Sequence, residues 1–441
     1  MTAVVGILNK RGIAIAADSA ATITRNGRVK IENSANKMLR LSDVTPISIM
    51  IVGSARFLLT PWDIIVRRYR QKRGSISLPT VQAYIDDFFS HMATEKILFH
   101  ENTQTRWLEY DLEAFWDKVV ENVPYTQINK GTVVNKKQIL HAFKSNIDTE
   151  IKNSKKREKL PAFKDYTIAQ FKEYTNTMVD NLFTQKTLDL DSPFLEEEDE
   201  APIKEFTEDI LAEIKDLFVE GFFASKTCKQ TEGNTHLIFS GYGENEDYPV
   251  MIRVMVSHGF DNRICYQINQ EDIHAISDDN PVAICPFAQT DIMEALLTGI
   301  DPVFYEGICF KSKDMFEEIT GQISFEYLFE EGAEEIESIL KKVKHSDLAS
   351  KFERYGNSIK EAEKREWLRA LRNYSIQNMA HLAENLIAMT SFERHMTFSE
   401  EGVGGPIDLA VITKNNGFTW LNRKSWYHHK DVGGRYGKFG V

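Results

Sequence analysis

Short apolar runs alternate with turn-forming residues up to about residue 60, a pattern typical of β-strands. The runs TAVVGILN and IAIAAD lie on either side of a KRG turn, and PISIMIVG ends at Gly53. Between these runs, TITRNGRVKI carries an Asn-Gly pair at 26–27 with a β-prone arm on each side, which predicts a two-residue hairpin. LTPWDIIVRRYRQ then predicts a helix with Pro61 in its first turn, where the missing N–H of proline is not needed.

Helical spacing replaces this pattern from about residue 95 to 235. In DLEAFWDKVVENV, and again in EDILAEIKDLFVEGFF, apolar residues recur three and four positions apart, as on one face of a helix. The acidic stretch LEEEDE at 195–200 separates these two segments and is interpreted as a solvated linker.

Strands return with THLIFSGYGENEDYPVMIRVMV, and a helix is predicted after them at about 288–298. A second charged insertion covers roughly 301–370, and the amphipathic NMAHLAENLIAM then precedes a last predicted strand, GGPIDLAVIT. The chain is therefore interpreted as a mixed α and β core that helical material interrupts twice. The predicted parts are a core at 2–95, 236–300 and 375–425, mainly helical insertions at 96–235 and 301–374, and a C-terminal tail at 426–441.

Composition narrows the classes of function. The 441 residues carry a net charge of −12 and 42% hydrophobic side chains, which indicates a sizeable core and argues against a general nucleic-acid binder. No apolar run is long enough to cross a bilayer, and no basic region precedes the first apolar run as in a secretory signal. The four cysteines are widely spaced without a CxxC pair, which favours free thiols over a zinc site or disulfides. We therefore expect a cytoplasmic protein with no nucleic-acid or membrane partner.

A candidate nucleophile occupies the second position of the chain. A threonine hydroxyl attacks a carbonyl only when a base removes its proton. If Met1 is trimmed, Thr2 carries a free α-amine, which titrates near about 7.7–8 and is therefore partly neutral at cellular pH. Thr2 then contains both a nucleophile and a base. The alternative interpretation is that Thr2 simply begins a strand.

Three further residues offer what such a nucleophile needs. Asp18 closes the second strand, and because the start of one hairpin strand lies near the end of its partner, Asp18 and Thr2 are predicted neighbours. Lys37 begins the strand-like run KMLRL; its charge would lower the pKa values of the amine and the hydroxyl, while Asp18 would keep it charged and oriented. Gly53 offers a backbone N–H for an oxyanion, with no side chain in the way.

Taken in order, these segments resemble the proteasome β-subunit and HslV family of N-terminal nucleophile hydrolases. The similarity rests on MTAVVGI, GIAIAADSAAT, NKMLRL and IVGSA, followed by FSGYGENEDYPVMIRV and VGGPIDLAVIT, which together span about half of the chain. The resemblance implies an α+β fold, a four-layer αββα sandwich, here with two mainly helical insertions. It also implies threonine-type peptide hydrolysis without a metal or an organic cofactor. In that reaction Thr2 would be the nucleophile and Lys37 the cation that lowers its pKa. Asp18 would orient the lysine and Gly53 would donate to the oxyanion.

The same resemblance implies a substrate channel and partners. Thr22 and Ala55 would lie along the channel. An apolar pocket beside the scissile bond, which favours cleavage after hydrophobic residues, would be lined by Ala21, Ala35, Leu39 and Ile51. The expected substrates are peptides or unfolded proteins, the expected assembly is a homo-oligomer, and the expected partner is an ATP-dependent unfoldase.

Two segments depart from the pattern of that family. CPFAQTD at 285–291 stands in the place of a glycine-rich loop with a supporting serine, and it offers Thr290 and Asp291. Before the last predicted strand, SEEGVGG has Glu400 and Val403 where the family has an aspartate and a serine.

Other interpretations stay open at this point. A catalytically inactive proteasome-like scaffold, or an amidase of the same superfamily acting on a small molecule, would share much of this pattern. SANK at 34–37 fits the SxxK pattern of penicillin-recognising serine enzymes, but KTG is absent and NKMLRL looks extended rather than helical. His381 with Glu384, and the pair His428 and His429, could be metal ligands; a packed helix edge and a glycine-rich charged tail are the simpler interpretations.

Overall fold

In the computed structural model, two large antiparallel β-sheets and ten α-helices make up the part of the chain that is described. Described are residues 2–25, 28–32, 35–120, 136–190, 200–230, 233, 235–326, 345–396 and 403–424. The helices are α1 (Trp62–Arg73), α2 (Val81–Thr94), α3 (Glu101–Val120), α4 (Lys136–Lys155), α5 (Ile168–Leu190), α6 (Glu200–Thr227), α7 (Thr290–Thr298), α8 (Pro302–Glu326), α9 (His345–Leu371) and α10 (Ile376–Met396). Across these ranges, none of the helices combines the length and apolar character needed to span a lipid bilayer.

The strands form the two large sheets and two short hairpins. The strands are β1 (Val4–Asn9), β2 (Gly12–Ala17), β3 (Ala21–Arg25), β4 (Arg28–Glu32), β5 (Met38–Arg40), β6 (Ile47–Gly53), β7 (Arg56–Phe57), β8 (Thr60–Pro61), β9 (Thr235–Gly241), β10 (Val250–Phe260), β11 (Arg263–Gln267), β12 (Ile273–Ala275), β13 (Val282–Phe287), β14 (Asp408–Thr413) and β15 (Gly417–Asn422). The first sheet has the order β13-β1-β2-β14-β15, and the second has the order β11-β10-β9-β6-β5 with β12 beside β10. Since the pairs in both sheets are antiparallel and the helices flank them, the fold is of the α+β class.

Strand β1 shows how the first sheet is buried on both faces. Successive side chains of a strand point to opposite faces. Val5 and Ile7 therefore pack against helices α7 and α10, whereas Val4 and Leu8 pack against the second sheet. Because neither face meets solvent, the strand is apolar at nearly every position instead of alternating with polar residues.

The two sheets pack face to face, and helices cover the outer face of each. Met50 of β6, Ile238 of β9 and Met251 of β10 meet the inner face of the first sheet in one shared core. The outer face of the first sheet is covered by α7, α9 and α10, and that of the second by α1 and α2. The sheets approach closely at Gly6, where a Cβ atom would lie 2.3 Å from Cε of Met251, so any larger residue would require the Met251 side chain to move.

Helices α3 to α6 build a separate apolar core beside the second sheet. Phe115, Phe218 and Phe222 are buried in it, and the ring centroids of Phe115 and Phe218 are 5.2 Å apart. Phe260 of β10 and Cys265 of β11 belong to the same core, so the helical segment packs on the edge of the second sheet.

Two local details differ from the sequence prediction. Helix α1 begins at Trp62, so Pro61 precedes the first turn instead of lying in it. GGPIDLAVIT is not the last strand, because β15 follows β14 and pairs with it. The predicted hairpin is confirmed by the pairing of β3 with β4, although its turn at 26–27 lies outside the described residues. Residues 195–199 of the predicted linker at 195–200 and the tail at 426–441 also lie outside them, and Glu200 is the first residue of α6.

Candidate active site

The β1–β2 hairpin brings the beginning of β1 next to Asp18. Val4 pairs with Ala17, and one step further the backbone N–H of Asp18 donates to the carbonyl of Ala3 at 3.1 Å. The backbone N–H of Ala3 in turn donates to Oδ1 of Asp18 at 2.9 Å. Thr2 is half-buried and directly precedes Ala3, so the predicted proximity of Thr2 and Asp18 follows from the register of the hairpin.

Lys37 reaches the same carboxylate from the second sheet. It lies just before β5, where its carbonyl accepts the N–H of Ile51 at 2.8 Å. Its ammonium Nζ donates to Oδ1 of Asp18 at 2.6 Å. Lys37 is 6% exposed and Asp18 is 1% exposed, so this ion pair is buried. The pair joins the two sheets at the end where β1 begins and β2 ends.

Among the described residues, the carboxylate of Asp18 accepts four hydrogen bonds. Oδ1 receives the N–H of Ala3 and the ammonium of Lys37. Oδ2 receives the N–H of Ala20 at 3.2 Å and the N–H of Gly404 at 3.1 Å. These donors come from four separate stretches of chain, so Asp18 is the point at which they are held together.

Burial sets the protonation behaviour of Lys37. The loss of hydration lowers the pKa of Lys37 from its ordinary value, because burial disfavours the charged form. The charge of Asp18 and its hydrogen bond oppose this effect and raise the pKa of Lys37. Two more distant groups act as well: Lys424 lowers the pKa of Lys37 and Asp408 raises it. Lys37 therefore releases a proton more readily than a lysine in water.

A second buried ion pair, which the sequence analysis did not identify, lies beside the first. Lys424 follows β15, and its ammonium forms an ion pair with Asp408 at the start of β14. The same ammonium donates to Oγ of Ser19 at 2.9 Å. Ser19 directly follows Asp18 and is fully buried. The sequence signal that could have found Lys424 is the Asn416-Gly417 turn, since it predicts a strand that returns along β14 to Asp408.

Gly53 lies at the end of β6, at the same end of the second sheet as Lys37. Its φ of +95° falls in the region that favours glycine, and the residue is exposed. It pairs with Thr235 of β9. The carbonyl of the next residue, Ser54, accepts the indole N–H of Trp62 at 3.1 Å, which fixes the loop.

The predicted pocket residues divide into two groups. Ile51 and Leu39 are close neighbours of Lys37 on β6 and β5, and both pack into the core beneath α1 and α2. Ile51 is 6% exposed. Ala35 is half-buried, and its N–H donates to the carbonyl of Ser19 at 3.1 Å.

The remaining predicted pocket residue, Ala21, and the two predicted channel residues, Thr22 and Ala55, are farther along the chain from Lys37. Ala21 begins β3 and pairs with Glu32, whereas Ala55 is exposed and its carbonyl accepts the N–H of Trp62 at 3.1 Å. The backbone of Thr22 belongs to β3, but its side chain is outside the described part of the structure. Of the positions whose side chains are described, Ala21 and Ala55 form no hydrogen bond with Asp18 or Lys37.

The segment at 285–291, the first of the two that depart from the family pattern, forms a turn and the start of α7. Ala288 and Gln289 have φ values of +57° and +49°, so the chain makes a left-handed turn between β13 and α7 without using glycine. Thr290 begins α7, and Asp291 forms an ion pair with Arg394 of α10. Nothing in the local sequence signals this turn.

The segment before β14 contributes its backbone to the site. Val403 is buried among the apolar residues of the first sheet, and Gly404 donates its N–H to Asp18. Glu400 lies outside the described residues. A backbone donor therefore binds Asp18 in a segment where the resemblance led us to look for side chains.

The alternative sites gain no support from the geometry. Lys37 immediately precedes a strand, whereas an SxxK site needs a helix, and Ser34 lies outside the described residues. His381 is exposed on α10, and within the described ranges no three histidine, cysteine, aspartate or glutamate side chains are grouped to hold a metal ion. His428 and His429 lie outside those ranges.

Comparison with known proteins identifies no family for this chain. No protein-family model matches it, and a search of the curated proteins found no similar one. The arrangement around Asp18 and the resemblance in the sequence are therefore the observations that bear on function.

Proposed function

We propose that this chain is a threonine hydrolase that uses Thr2, exposed by removal of Met1, to cleave peptides. One observation carries the proposal. The single atom Oδ1 of Asp18 binds both the ammonium of Lys37 and the N–H of Ala3, the residue bonded to Thr2. The buried ammonium of Lys37 and the backbone N–H of the residue that follows Thr2 therefore share one acceptor atom.

The proposed reaction uses groups of this chain alone. The α-amine of Thr2 removes the proton from its own hydroxyl, and Oγ attacks the carbonyl carbon of the peptide. The charge of Lys37 lowers the pKa of the amine, so that more of it is in the neutral, proton-accepting form at cellular pH. The N–H of Gly53 stabilises the oxyanion of the tetrahedral intermediate. The amine then gives the proton to the leaving nitrogen, and water hydrolyses the resulting ester.

The layering of the chain supports the αββα sandwich that the resemblance implies. Two antiparallel sheets share one inner core, and each outer face is covered by helices. The candidate site lies at the ends of strands from both sheets, with Asp18 contributed by one and Lys37 by the other. The homo-oligomer and the ATP-dependent unfoldase stay predictions from the family resemblance.

The neighbours of Lys37 favour hydrophobic residues before the scissile bond. Ile51 and Leu39 are both apolar and lie on the strands next to Lys37. Ala35, two residues before Lys37, is small and half-buried. We therefore propose cleavage after hydrophobic residues. A preference for acidic residues, in a peptide series that varies only this side chain, would overturn this specificity.

The test of the proposed function is covalent labelling of Thr2. An epoxyketone or β-lactone warhead should add to Thr2, and intact mass should show that Met1 is absent from the labelled protein. Thr2→Ala should abolish both the adduct and peptide hydrolysis. The matched control is Thr184→Ala, since Thr184 is exposed on α5 and bonds only to the helix backbone in the described structure.

Other results of the labelling and hydrolysis assays would support one of the alternative functions or a different nucleophile. Full retention of Met1 without an adduct supports the inactive scaffold. Hydrolysis of small amides without hydrolysis of peptides supports the amidase. Native hydrolysis by Thr2→Ala would contradict the proposed nucleophile.

A further inference from the structure

Lys424 and Asp408 form a buried ion pair that the proposed reaction does not use. The side chain of Lys424 is 7% exposed and that of Asp408 is 4% exposed. The backbone N–H of Lys424 also donates to Oδ1 of Asp408 at 2.9 Å, so the pair is held by two contacts. Taking two charges out of water is expensive, and each charge needs its partner. The pair therefore fixes the end of β15 against the start of β14.

Ser19 connects this pair to the candidate site. Its hydroxyl accepts a hydrogen bond from the ammonium of Lys424 and donates one to the carbonyl of Pro406 at 2.6 Å, so it acts as both acceptor and donor. Its N–H donates to the carbonyl of Gly404 at 3.1 Å. Because Ser19 is bonded to Asp18, these contacts determine where the carboxylate of Asp18 lies.

Gly404 forms hydrogen bonds with both Ser19 and Asp18. Gly404 accepts the N–H of Ser19 through its carbonyl and donates its own N–H to Oδ2 of Asp18. The carbonyl of Pro406, two residues later, accepts a hydrogen bond from the hydroxyl of Ser19. A shift of Ser19 would therefore move Asp18 and one of its donors together.

We propose that Lys424 is a positioning residue, which holds the Asp18 carboxylate against Lys37 through its hydrogen bond with Ser19 and its ion pair with Asp408. The consequence for catalysis rests on the proposed function of Thr2, but the effect on Lys37 does not. The charged groups that act on Lys37 are Asp18, Lys424 and Asp408. Removal of Lys424 takes away one positive charge and leaves the negative charge of Asp408 without its partner.

The test compares Lys424→Met, Lys424→Arg and Ser19→Ala with the control Lys414→Met. Lys414 is also paired with an aspartate, Asp247, but that pair is exposed. The first readout is labelling of Thr2 by the warhead, separated into reversible binding and rate of bond formation. Lys424→Met should slow bond formation about tenfold with little change in binding, since a buried hydrogen bond to a charged group is lost. Lys424→Arg should restore most of the rate, and Lys414→Met should react like the parent protein.

The second readout is the titration of the Lys37 ammonium, followed by NMR of its side chain in the full-length protein. Lys424→Met should move the midpoint of Lys37 to higher pH, because the repulsive charge is gone and Asp408 favours the protonated form. Ser19→Ala keeps all four charges, so it should slow bond formation with a smaller change in the midpoint. If the Lys424→Met protein does not fold, the Ser19→Ala variant still tests the positioning role.

The two proposals fail in different ways. If the parent protein gives no adduct, the proposed function fails, and the Lys37 midpoint still tests the link to Lys424. If the adduct forms but Lys424→Met and Ser19→Ala both match the parent protein in rate and midpoint, the positioning role is wrong.

Discussion

The two ends of the β1–β2 hairpin each carry a lysine–aspartate ion pair, in opposite surroundings. At the turn, Lys10 binds Asp278, and the two side chains are 34% and 82% exposed. At the open end, Lys37 binds Asp18, and the side chains are 7% and 1% exposed. The same two residue types thus meet once in water and once in the interior.

The surroundings shift the pKa values of the two lysines in opposite directions, although the aspartate raises the pKa in both cases. The hydrogen bond to Asp278 raises the pKa of Lys10 from its ordinary value, as expected for a cation that gains a carboxylate partner. Burial lowers the pKa of Lys37 in spite of its aspartate. Burial, rather than the presence of a partner, therefore decides which lysine can release a proton easily. The interior pair also acts on its neighbours through a medium that screens charge weakly.

The largest effect is expected from breaking the interior pair. Asp18→Asn removes the charge that compensates Lys37 and replaces one acceptor oxygen by a donor that faces backbone N–H groups. We expect a loss of about 3–5 kcal/mol in the free energy of unfolding, as for other buried pairs that lose one partner. Urea denaturation measures this loss, and labelling of Thr2 should disappear in the same variant. The matched control is Asp278→Asn at the exposed pair. Equal losses in the two variants would contradict the comparison.

A moderate effect is expected in the titration of the two lysines. NMR of the lysine side chains should give a midpoint for Lys37 below 10.5 and a midpoint for Lys10 above it. Above its midpoint Lys37 is neutral and no longer lowers the pKa of the Thr2 hydroxyl, so the nucleophile forms less readily. Peptide hydrolysis should therefore decline at alkaline pH, and the decline should begin at a lower pH than it would with a lysine of ordinary pKa. Midpoints shifted in the same direction would show that burial does not separate the pairs.

The smallest effect is expected from Lys10→Met. An exposed ion pair is screened by water and salt and contributes little to stability. The urea midpoint of this variant should match that of the parent protein at physiological salt, and labelling of Thr2 should be unchanged. A clear loss of labelling would mean that the turn end communicates with Thr2, and the two ends could not be treated as independent.

Much of the candidate site could be predicted from local sequence. The apolar runs and the turn between them determine the β1–β2 register, which is enough to bring Asp18 to Ala3. The strand that follows Lys37 could be recognised as well, because KMLRL is short and extended. That Lys37 bonds to Asp18 agrees with the expectation that the aspartate would orient the lysine.

The remaining parts could not be predicted because they depend on contacts between distant segments. Gly404 binds Asp18 through a backbone N–H, and a backbone donor leaves no trace in residue type. Lys424 is 405 residues from Ser19 along the chain, and only the full strand order brings them together. Ala288 and Gln289 adopt a left-handed turn that their residue types disfavour, so tertiary packing overrides the local preference.

The coordination of Asp18 limits which groups can bind to it. An ionised carboxylate offers about four lone-pair sites, and within the described part of the chain Asp18 accepts four hydrogen bonds. A hydroxyl at this end of the hairpin could therefore bind Asp18 only by displacing one of these donors. The aspartate thus anchors four segments of the chain and leaves no open acceptor for a substrate group.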